Sequence, residues 1–449
     1  MEYVSPLPSD DKRLQRRYLQ LVQEHLSPVQ AIAAGLRALP GTAQAFASTQ
    51  AAWRFYANPR VTLPQLAQPL IEAARAAVEQ DNQHYALVVH DWSQLLFKAH
   101  HSKRDRAVLS SATDLGYELL TALVLSDRDG APIAPVCQQV RAAGGVSSSR
   151  SARVQPIPSQ LDALAPTMRF VHRLKLGKPT VHLIDREADS VAHYRQWARH
   201  QRLFLVRADA QRVVRHEGQE RPLSAVVASL HRGGKFRPSR TVLYHGRPAE
   251  QFVAEAAVVL ERPAAPNRRG AGGGPRRLVR GAALPLRLVV SEVRDADGAV
   301  LATWLLLTNV PATVSASEVA LWSDWRWRVE SYFKLLKGAG LHLEHWQQET
   351  APALAKRLLV ASMACVVVWR VARSEAPEAA EVRRLLVRLS GRQMKWGVES
   401  TEPALLAGLW VLLSMMRVLE HEDLSGLLRM AKSILPTSEP PEQPRRSAV

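Results

Sequence analysis

The chain has 449 residues, enough for about three domains and at least one sizeable core. Its 59 Lys and Arg residues against 41 Asp and Glu residues give a formal charge of +18, which points to a polyanionic partner. A membrane-spanning protein is disfavoured because no run of about 18 uninterrupted apolar residues occurs, the best candidate being the shorter stretch from Leu358 to Val371. Without a signal-peptide pattern, and with Cys137 and Cys365 in apolar runs, we expect a cytoplasmic protein with two buried free thiols and no membrane partner.

Residues 1–70 are predicted to form a helical domain with basic faces. The stretch from Ser9 to Tyr18 is typical of an N-capped helix and carries Arg13, Arg16 and Arg17. A second helix is predicted near Val29 to Leu39, and a third, aromatic and basic, contains Arg54 and ends at Asn-Pro. Basic residues interleaved with aromatics suit DNA contacts, and a small helical bundle with a solvated basic face explains the pattern equally well.

Residues 71–372 are predicted to form a mixed α/β core. The apolar run from His84 ends in Asp91, and the run from Thr180 ends in Asp185, so each is predicted to be a buried strand with an acid at its rim. Between them lie two further strands joined by a tight turn at Asp127–Gly130 and a helix near Leu161 to Leu176. A single acid at a strand end is usually a cap or a turn former.

Residues 201–308 change character. Strand-like segments alternate there with turns rich in Gly and Arg, and only one short helix is predicted, near Leu223 to Leu230. The basic loop from Asn267 to Arg277 is either a solvated hairpin tip or a nucleic-acid contact. We expect this region to be a β-rich insertion.

The stretch from Trp325 to Lys337 is predicted to be one helix. Arg326, Glu330, Lys334 and Lys337 then share one sector, beside an apolar stripe. Taken alone, this pattern favours a solvated helix laced with ion pairs. Residues 373–435 are predicted to be helical, either as a partner interface or as part of a monomeric core, and residues 436–449 to be a disordered tail.

If Asp91, Asp185 and Glu330 lie close together in the fold, they can act in one chemical site. Three neighbouring carboxylates repel one another unless cations neutralise them, and all-oxygen ligands select hard ions such as Mg²⁺, with Mn²⁺ expected to substitute. Two such ions support in-line phosphoryl displacement. In combination with the basic charge, this constellation favours a polynucleotidyl transferase or nuclease.

The same residues carry a family resemblance. The block Asp185-Arg186-Glu187-Ala188-Asp189, with Arg326 four residues before Glu330 and Lys337 seven after it, resembles DDE cut-and-paste transposases of bacterial insertion sequences, in the branch with the Tyr-Arg-Glu-Lys signature. The blocks around Trp53–Pro59 and Trp304–Thr308 resemble the same family. One departure is Ser323, which stands where the signature has Tyr.

The resemblance implies a ribonuclease-H-like core interrupted by the 201–308 insertion, flanked by a helical DNA-binding domain at 1–70 and a helical dimerisation region at 373–435. It also implies catalysis by Asp91, Asp185 and Glu330 with Mg²⁺, DNA contacts by Arg207, Arg326, Lys334 and Lys337, and stacking of a flipped base on Trp304. The partners implied are double-stranded DNA, both element ends and target, and a second subunit in a synaptic complex within a bacterial nucleoid.

Two other hypotheses remain open from sequence. One is a catalytically silent DNA-binding protein or transposition inhibitor, and the other is a host nuclease with the same fold. The intact acids disfavour the first, and the family-like N-terminal and insertion blocks disfavour the second.

Overall fold

The structure is a computed structural model that describes residues 4–26, 42–263, 281–420 and 422–434. Three predicted segments lie outside these residues: the helix from Val29 to Leu39, the basic loop from Asn267 to Arg277, and the tail from Pro436. The helices are α1 (Lys12–His25), α2 (Thr42–Ala57), α3 (Leu63–Asp81), α4 (Gln160–Leu174), α5 (Val191–Arg199), α6 (Leu223–Arg232), α7 (Ala316–Trp325), α8 (Arg328–Leu336), α9 (Ala351–Arg373), α10 (Ala379–Ser390), α11 (Glu402–Leu419) and α12 (Leu424–Ile434). The strands are β1 (Ala86–Leu96), β2 (Ala107–Val108), β3 (Leu115–Ser126), β4 (Pro132–Ala142), β5 (Gly145–Ser148), β6 (Thr180–Ile184), β7 (Leu203–Arg207), β8 (Val213–His216), β9 (Gln219–Pro222), β10 (Arg237–Tyr244), β11 (Arg247–Leu260), β12 (Leu284–Arg294) and β13 (Val300–Thr308).

A single mixed sheet organises the chain. Its strand order is β5-β4-β3-β1-β6-β7-β13-β12-β11-β8-β9, with β2 on β3 and β10 on β11. The first strands form an antiparallel meander, joined by the predicted turn at Asp127–Gly130, whereas β1, β6 and β7 run parallel. The parallel strands are nearly continuous apolar runs, because helices cover them. The α/β class and the mixed sheet are as predicted.

The β-rich region continues this sheet and does not form a second one. β7, which falls within residues 201–308, pairs in parallel with β6 of the core. β13 then pairs antiparallel with β7, and β12, β11 and β8 follow. The predicted short helix is α6, which packs on β11. The insertion strands therefore stand beside the strands that carry the predicted acids.

Two hydrophobic clusters hold the layers together. The first joins α1, α2 and α3 to the meander, α8 and α9, and the second joins α4, α5 and α6 to the insertion strands. Helix α9 is long and apolar enough to cross a membrane by length and composition, and 83% of its most apolar window is buried inside the protein. It packs against β4, α3 and α1 as a core helix. Cys137 and Cys365 are buried free thiols, as predicted.

Two boundaries differ from the sequence prediction. Strand β1 continues to Leu96, so Asp91 lies within it and not at its end. The predicted single helix from Trp325 to Lys337 is broken, because α7 ends at Trp325 and α8 begins at Arg328. At the junction the amides of Val329 and Glu330 bond three residues back, which turns the chain more tightly than an α-helix.

Candidate active site: two aspartates, a buried arginine and Glu330

Neighbouring parallel strands place the two aspartates side by side. The register of β1 with β6 ends at the pair His90 and Ile184, and Asp91 and Asp185 are the next residues. Asp185 ends its strand, and its carboxylate accepts a bond from the Arg186 amide at 2.7 Å. Asp91 accepts from the Trp92 amide at 2.8 Å. Asp91 and Asp185 thus lie side by side on adjacent strands, as predicted, although β1 continues past Asp91.

One guanidinium joins the two aspartates. Arg326 lies 3.3 Å from Asp91 through its Nη1 atom and 3.5 Å from Asp185 through its Nη2 atom. The arginine side chain is only 8% exposed and rests over the ring of Trp327 at 4.9 Å. A buried cation is held by partners of opposite charge, and here two carboxylates share one guanidinium.

Glu330 stands close enough to influence Asp91. Burial raises the pKa of Asp91 to about 6, the Arg326 guanidinium opposes this rise, and the charges of Glu330 and Asp185 add to it. Glu330 lies in the first turn of α8 and is partly exposed. The three acids therefore interact electrostatically, with Arg326 as the internal cation.

The acids fit a divalent cation by chemistry, but Arg326 holds their present arrangement. Within the described ranges, no group of three His, Cys, Asp or Glu side chains is already placed to hold a metal ion. The raised pKa of Asp91 and the shared guanidinium show that these carboxylates require positive charge between them. Carboxylate oxygens are the ligands that hard ions such as Mg²⁺ prefer. A metal at this position would take over the role that the guanidinium has in this structure.

A pair of histidines lies beneath the acids. His90 Nε2 and His182 Nδ1 are 2.8 Å apart, on β1 and β6, and both side chains are buried. Burial lowers the pKa of both rings, so they are neutral. This agrees with a structural role for the pair.

The cations predicted to bind DNA have different surroundings. Lys334 is exposed on α8, one turn beyond Glu330. Lys337 caps the end of α8, where its ammonium donates to the Gln94 carbonyl at 2.5 Å and lies 3.7 Å from Glu344. Arg326 faces inward. Of the three, Lys334 is the one whose side chain is open to a ligand, and the shared helical face predicted for them is wrong because the helix breaks.

Trp304 and Arg207 line a groove beside the acids. Ser323, Asp324, Arg326 and Trp327 also line the groove. Its enclosed volume is about 10 Å³, roughly one water molecule. A nucleic-acid base would enter only after side chains move, and Trp327, which packs against the Arg326 guanidinium, is 56% exposed.

The predicted N-terminal contacts lie on α1 and α2. Arg13, Arg16 and Arg54 are exposed, whereas Arg17 is half-buried. The chain turns into these helices as predicted, with Asp11 capping α1 through the Arg13 amide. Nothing in the structure brings these four cations next to the aspartates.

One contact that the sequence did not predict joins the insertion to the site. Asp324, in the last turn of α7, is bonded to Arg240 of β10 and accepts from Gln251 of β11 at 3.3 Å. Burial raises the pKa of Asp324, and Arg240 opposes the rise. We call this contact the Arg240–Asp324 clasp. No local sequence pattern reveals it, because Arg240 and Gln251 lie 84 and 73 residues before Asp324. It fixes α7 immediately before Arg326.

The second aspartate of the Asp185–Asp189 block, Asp189, is structural. Asp189 accepts from Arg212 at 3.0 Å, from the Tyr194 hydroxyl at 2.9 Å and from the Asp209 amide at 2.8 Å. Its side chain is 5% exposed. These bonds anchor the turn that follows Asp185 to the start of the insertion.

The mixed sheet presents acids from adjacent parallel strands, beside a helix with a further acid, an arrangement that suits chemistry on phosphate esters when a divalent cation is bound. The sequence matches the Transposase DDE domain family over residues 135–367, just over half of the chain, and the chain belongs to this family. Asp185 and Glu330 lie inside the matched range, and Asp91 lies before it. DDE transposases generally use divalent metal ions.

Similarity to individual proteins is weak. No curated protein matches the sequence. Among solved structures, the chain is similar to the piggyBac transposase synaptic complex with hairpin DNA, with 12% identity and a TM-score of 0.36 over 96% of this chain and 78% of that one. At this TM-score the similarity does not establish a common fold.

Proposed function

We propose that this DNA transposase is a cut-and-paste enzyme of a bacterial insertion sequence, in the Tyr-Arg-Glu-Lys branch, with a ribonuclease-H-like core. The observation that carries the proposal is the convergence of Asp91 and Asp185 on one guanidinium, with Glu330 within electrostatic reach. The antiparallel meander followed by parallel strands supports the proposed core. Residues 71–372 form this core in the proposal, with 201–308 inserted.

Asp91, Asp185 and Glu330 are the proposed catalytic and metal-binding residues. When bound, Mg²⁺ or Mn²⁺ would help to generate the attacking oxygen and stabilise the leaving oxygen of an in-line displacement. The strands fix the two aspartates, and α8 brings Glu330 to them. Arg326, once released from the aspartates, would be free to bind a phosphate of the strand being cut. The products would be a nicked end, a hairpin, a reopened end and an integrated element.

DNA contacts are proposed along α8 and the groove. Lys334 and Lys337 would bind phosphates on one side of Glu330. Ser323, in place of the signature Tyr, lines the groove with Trp304 and Arg207, so the missing phenol would be replaced by a neighbouring Trp or lost. Trp304 would stack on a flipped base after Trp327 turns out of the groove.

Two copies are proposed to act together on double-stranded DNA. Residues 1–70 would read the element ends through Arg13, Arg16, Arg17 and Arg54. Residues 373–435 would pair the subunits, because α11 and α12 expose large apolar side chains, namely Met415, Met416, Leu419, Leu424, Leu428 and Met430. The proposed location is the cytoplasm, on the nucleoid.

A catalytically silent DNA-binding protein is the second candidate. The observation that favours it is the same guanidinium, because Arg326 pairs with both aspartates and competes with any other cation for them. In this alternative the protein would occupy element ends and block transposition.

Cleavage of a supercoiled plasmid that carries the element ends separates the two candidates. With Mg²⁺, we expect wild-type protein to produce double-strand breaks and hairpin-ended fragments at the ends. Glu330→Gln should bind the same ends and leave them intact. If wild-type protein binds the ends but leaves them uncut in both Mg²⁺ and Mn²⁺, the silent candidate replaces the enzyme.

A further inference from the structure

A basic surface lies beyond the candidate active site at the far end of β1. The loop after β1 contains six basic residues between positions 98 and 106. Two other segments join it, the turn around His345 and the loop that follows α10. We call this surface the basic ledge and define it by Lys98, His100, His101, Arg104, His345 and Arg392.

Buried contacts hold the ledge in shape. Lys103 is 1% exposed and donates to the Trp346 carbonyl at 2.7 Å and the Gln348 carbonyl at 2.5 Å. Arg106 donates to the carbonyls of Phe97, Lys98 and Lys103. Lys103 and Arg106 therefore donate to backbone carbonyls of the protein itself. They fix the loop so that its other basic side chains point away from the core.

The outer cations have no acidic partners in the part of the chain that the structure describes. Lys98, His101 and Arg104 are exposed, and no ion pair joins any of them to an Asp or Glu there. The nearby carboxylate of Asp105 accepts from the Tyr117 hydroxyl and the Ala351 amide. Glu349 is an exposed acid that acts on Lys103. The ledge therefore carries an excess of positive charge.

Hydrogen bonds and electrostatic interactions join the three segments, beginning with the bond from Lys103 to the Trp346 carbonyl beside His345. After burial, the largest causes that lower the pKa of His100 are Lys103, His345 and Arg106. After burial, the pKa of His342 is lowered by His345 and Arg392. Arg392 also donates to the Ala339 carbonyl at 3.5 Å. The exposed side chains of Lys98 and Arg104 add positive charge to this surface, which attracts polyanions.

Cations connect the ledge to the acids. From Glu330 the path runs over exposed Lys334 to Lys337, whose ammonium reaches Gln94 near the end of β1. Glu344 then accepts from the Leu96 amide at 2.9 Å, at the start of the ledge loop. Five residues of strand separate Asp91 from Leu96, about 17 Å at 3.3 Å per residue, and the turn that follows brings Lys98 to about 20 Å from Asp91. Duplex DNA advances about 3.4 Å per base pair, so this distance corresponds to about six base pairs.

We propose that the basic ledge binds the phosphate backbone of the duplex being cut, about six base pairs from the scissile phosphate. This inference rests on the proposed function, because it requires a DNA strand at the acids. The ledge fixes the direction in which the duplex leaves the site. Its contacts are to phosphates and do not depend on base sequence.

Binding measurements with a paired substitution test the proposal. Lys98→Gln with Arg104→Gln is compared with Arg169→Gln and Arg173→Gln, a matched pair of exposed cations in the second half of α4, the end that leads to the start of β6. The probe is an end duplex that extends ten base pairs past the cleavage position on each side, and two shortened duplexes that end three base pairs past it on one side or the other.

We expect the ledge variant to bind the long duplex about tenfold more weakly at 0.1 M salt, with the salt dependence of log Kd reduced by about 1.8 for two lost phosphate contacts. On one of the shortened duplexes it should bind as wild type does. The control pair should match wild type throughout. Equal affinity and salt dependence for wild type and the ledge variant on the long duplex would overturn the ledge, as would a loss seen only with separate target DNA.

Crosslinking checks the position independently of affinity. Because Cys137 and Cys365 are buried, Lys98→Cys provides one accessible thiol among the described residues for a photoreactive tether. Crosslinks should map about five to seven base pairs from the cleavage position, and Arg173→Cys should give none. Crosslinks elsewhere on the bound duplex would refute the assigned path. If wild-type protein neither binds nor cuts the ends, the proposed function itself fails, which is a separate outcome.

Discussion

At the scale of single residues, Arg326 explains how three acids coexist without a metal. A guanidinium between Asp91 and Asp185 compensates two charges that would otherwise repel each other. Asp91 still has a pKa raised to about 6, because burial and the other two acids outweigh the arginine. Arg326 therefore offsets only part of the free-energy cost of ionising Asp91 in this buried site. This imbalance sets the direction of the two predictions that follow.

Asp91→Asn should stabilise the metal-free protein at pH 8. The pKa of Asp91 is higher in the folded protein than the unfolded value of 3.8, so its contribution is fully present below about pH 4 and is lost as the pH rises through 6. The shift corresponds to about 3 kcal/mol at most. Urea unfolding in EDTA should show the variant more stable at pH 8 and equal to wild type at pH 4. A variant less stable than wild type at pH 8 would contradict the raised pKa.

Arg326→Gln should strengthen Mg²⁺ binding. The substitution removes the cation that competes for the aspartates, and an affinity gain of about tenfold corresponds to about 1.4 kcal/mol. Without metal the same variant should be less stable by about 3 kcal/mol, because two carboxylates lose their partner. Calorimetric titration of Mg²⁺ without DNA measures the first effect. Weaker Mg²⁺ binding by the variant would show that Arg326 supports the metal site and does not compete with it.

At the scale of elements, the junction of α7 with α8 decides where the arginine points. The sequence pattern predicted one helix, since Trp325 to Lys337 has a helical apolar stripe. Tertiary contacts break the predicted helix between Trp325 and Arg328. Arg326 reaches an aspartate 235 residues earlier in the chain, and the Arg240–Asp324 clasp holds the preceding turn. The two aspartates could be predicted because apolar runs followed by Asp are local signals, whereas the continuation of β1 past Asp91 could not. The burial of Arg326 and the clasp could not, because their partners are distant in sequence.

Gly130→Ala should disturb this junction. Gly130 closes the hairpin turn at a φ of +68°, and a Cβ there would lie 2.3 Å from the Trp325 ring, next to Arg326. Left-handed backbone alone costs a non-glycine residue about 1–2 kcal/mol, and the clash adds to it. We expect a loss of about 3 kcal/mol in unfolding free energy and reduced end cleavage. Gly144→Ala is the matched control, because its Cβ meets nothing within 4 Å. Equal stability of the two variants would show that the turn does not support the junction.

At the scale of the whole molecule, α9 connects the N-terminal helices to the core. Arg357, fully buried on α9, donates to His25 of α1 at 3.4 Å, donates to Gln348 at 3.1 Å and stacks over Trp346 at 4.1 Å. His25 in turn donates through Nδ1 to the Leu21 carbonyl at 2.7 Å. This network joins the proposed end-reading helices to the segment that contributes His345 to the ledge.

The docking of α1 should weaken in acid. Burial and Arg357 lower the pKa of His25 to about 3, below its usual 6.5. The stability that the neutral ring contributes is therefore present above about pH 6.5 and is lost as the pH falls toward 3. Limited proteolysis should release the N-terminal helices faster at pH 5 than at pH 7.5, and less so in His25→Gln. The same acid sensitivity in the variant and wild type would remove His25 as the cause.

The central claim is that Asp91, Asp185 and Glu330 act as one catalytic centre. The most direct test is the rate of end cleavage in Mg²⁺ for Asp91→Asn, Asp185→Asn, Glu330→Gln and the double variants. If the three act as a unit, each single substitution should lower the rate by at least about 1,000-fold, and a second should add little, since the effects of cooperating groups are not additive. Near wild-type cleavage by any single variant, with DNA binding intact, would contradict the claim and remove that acid from the centre.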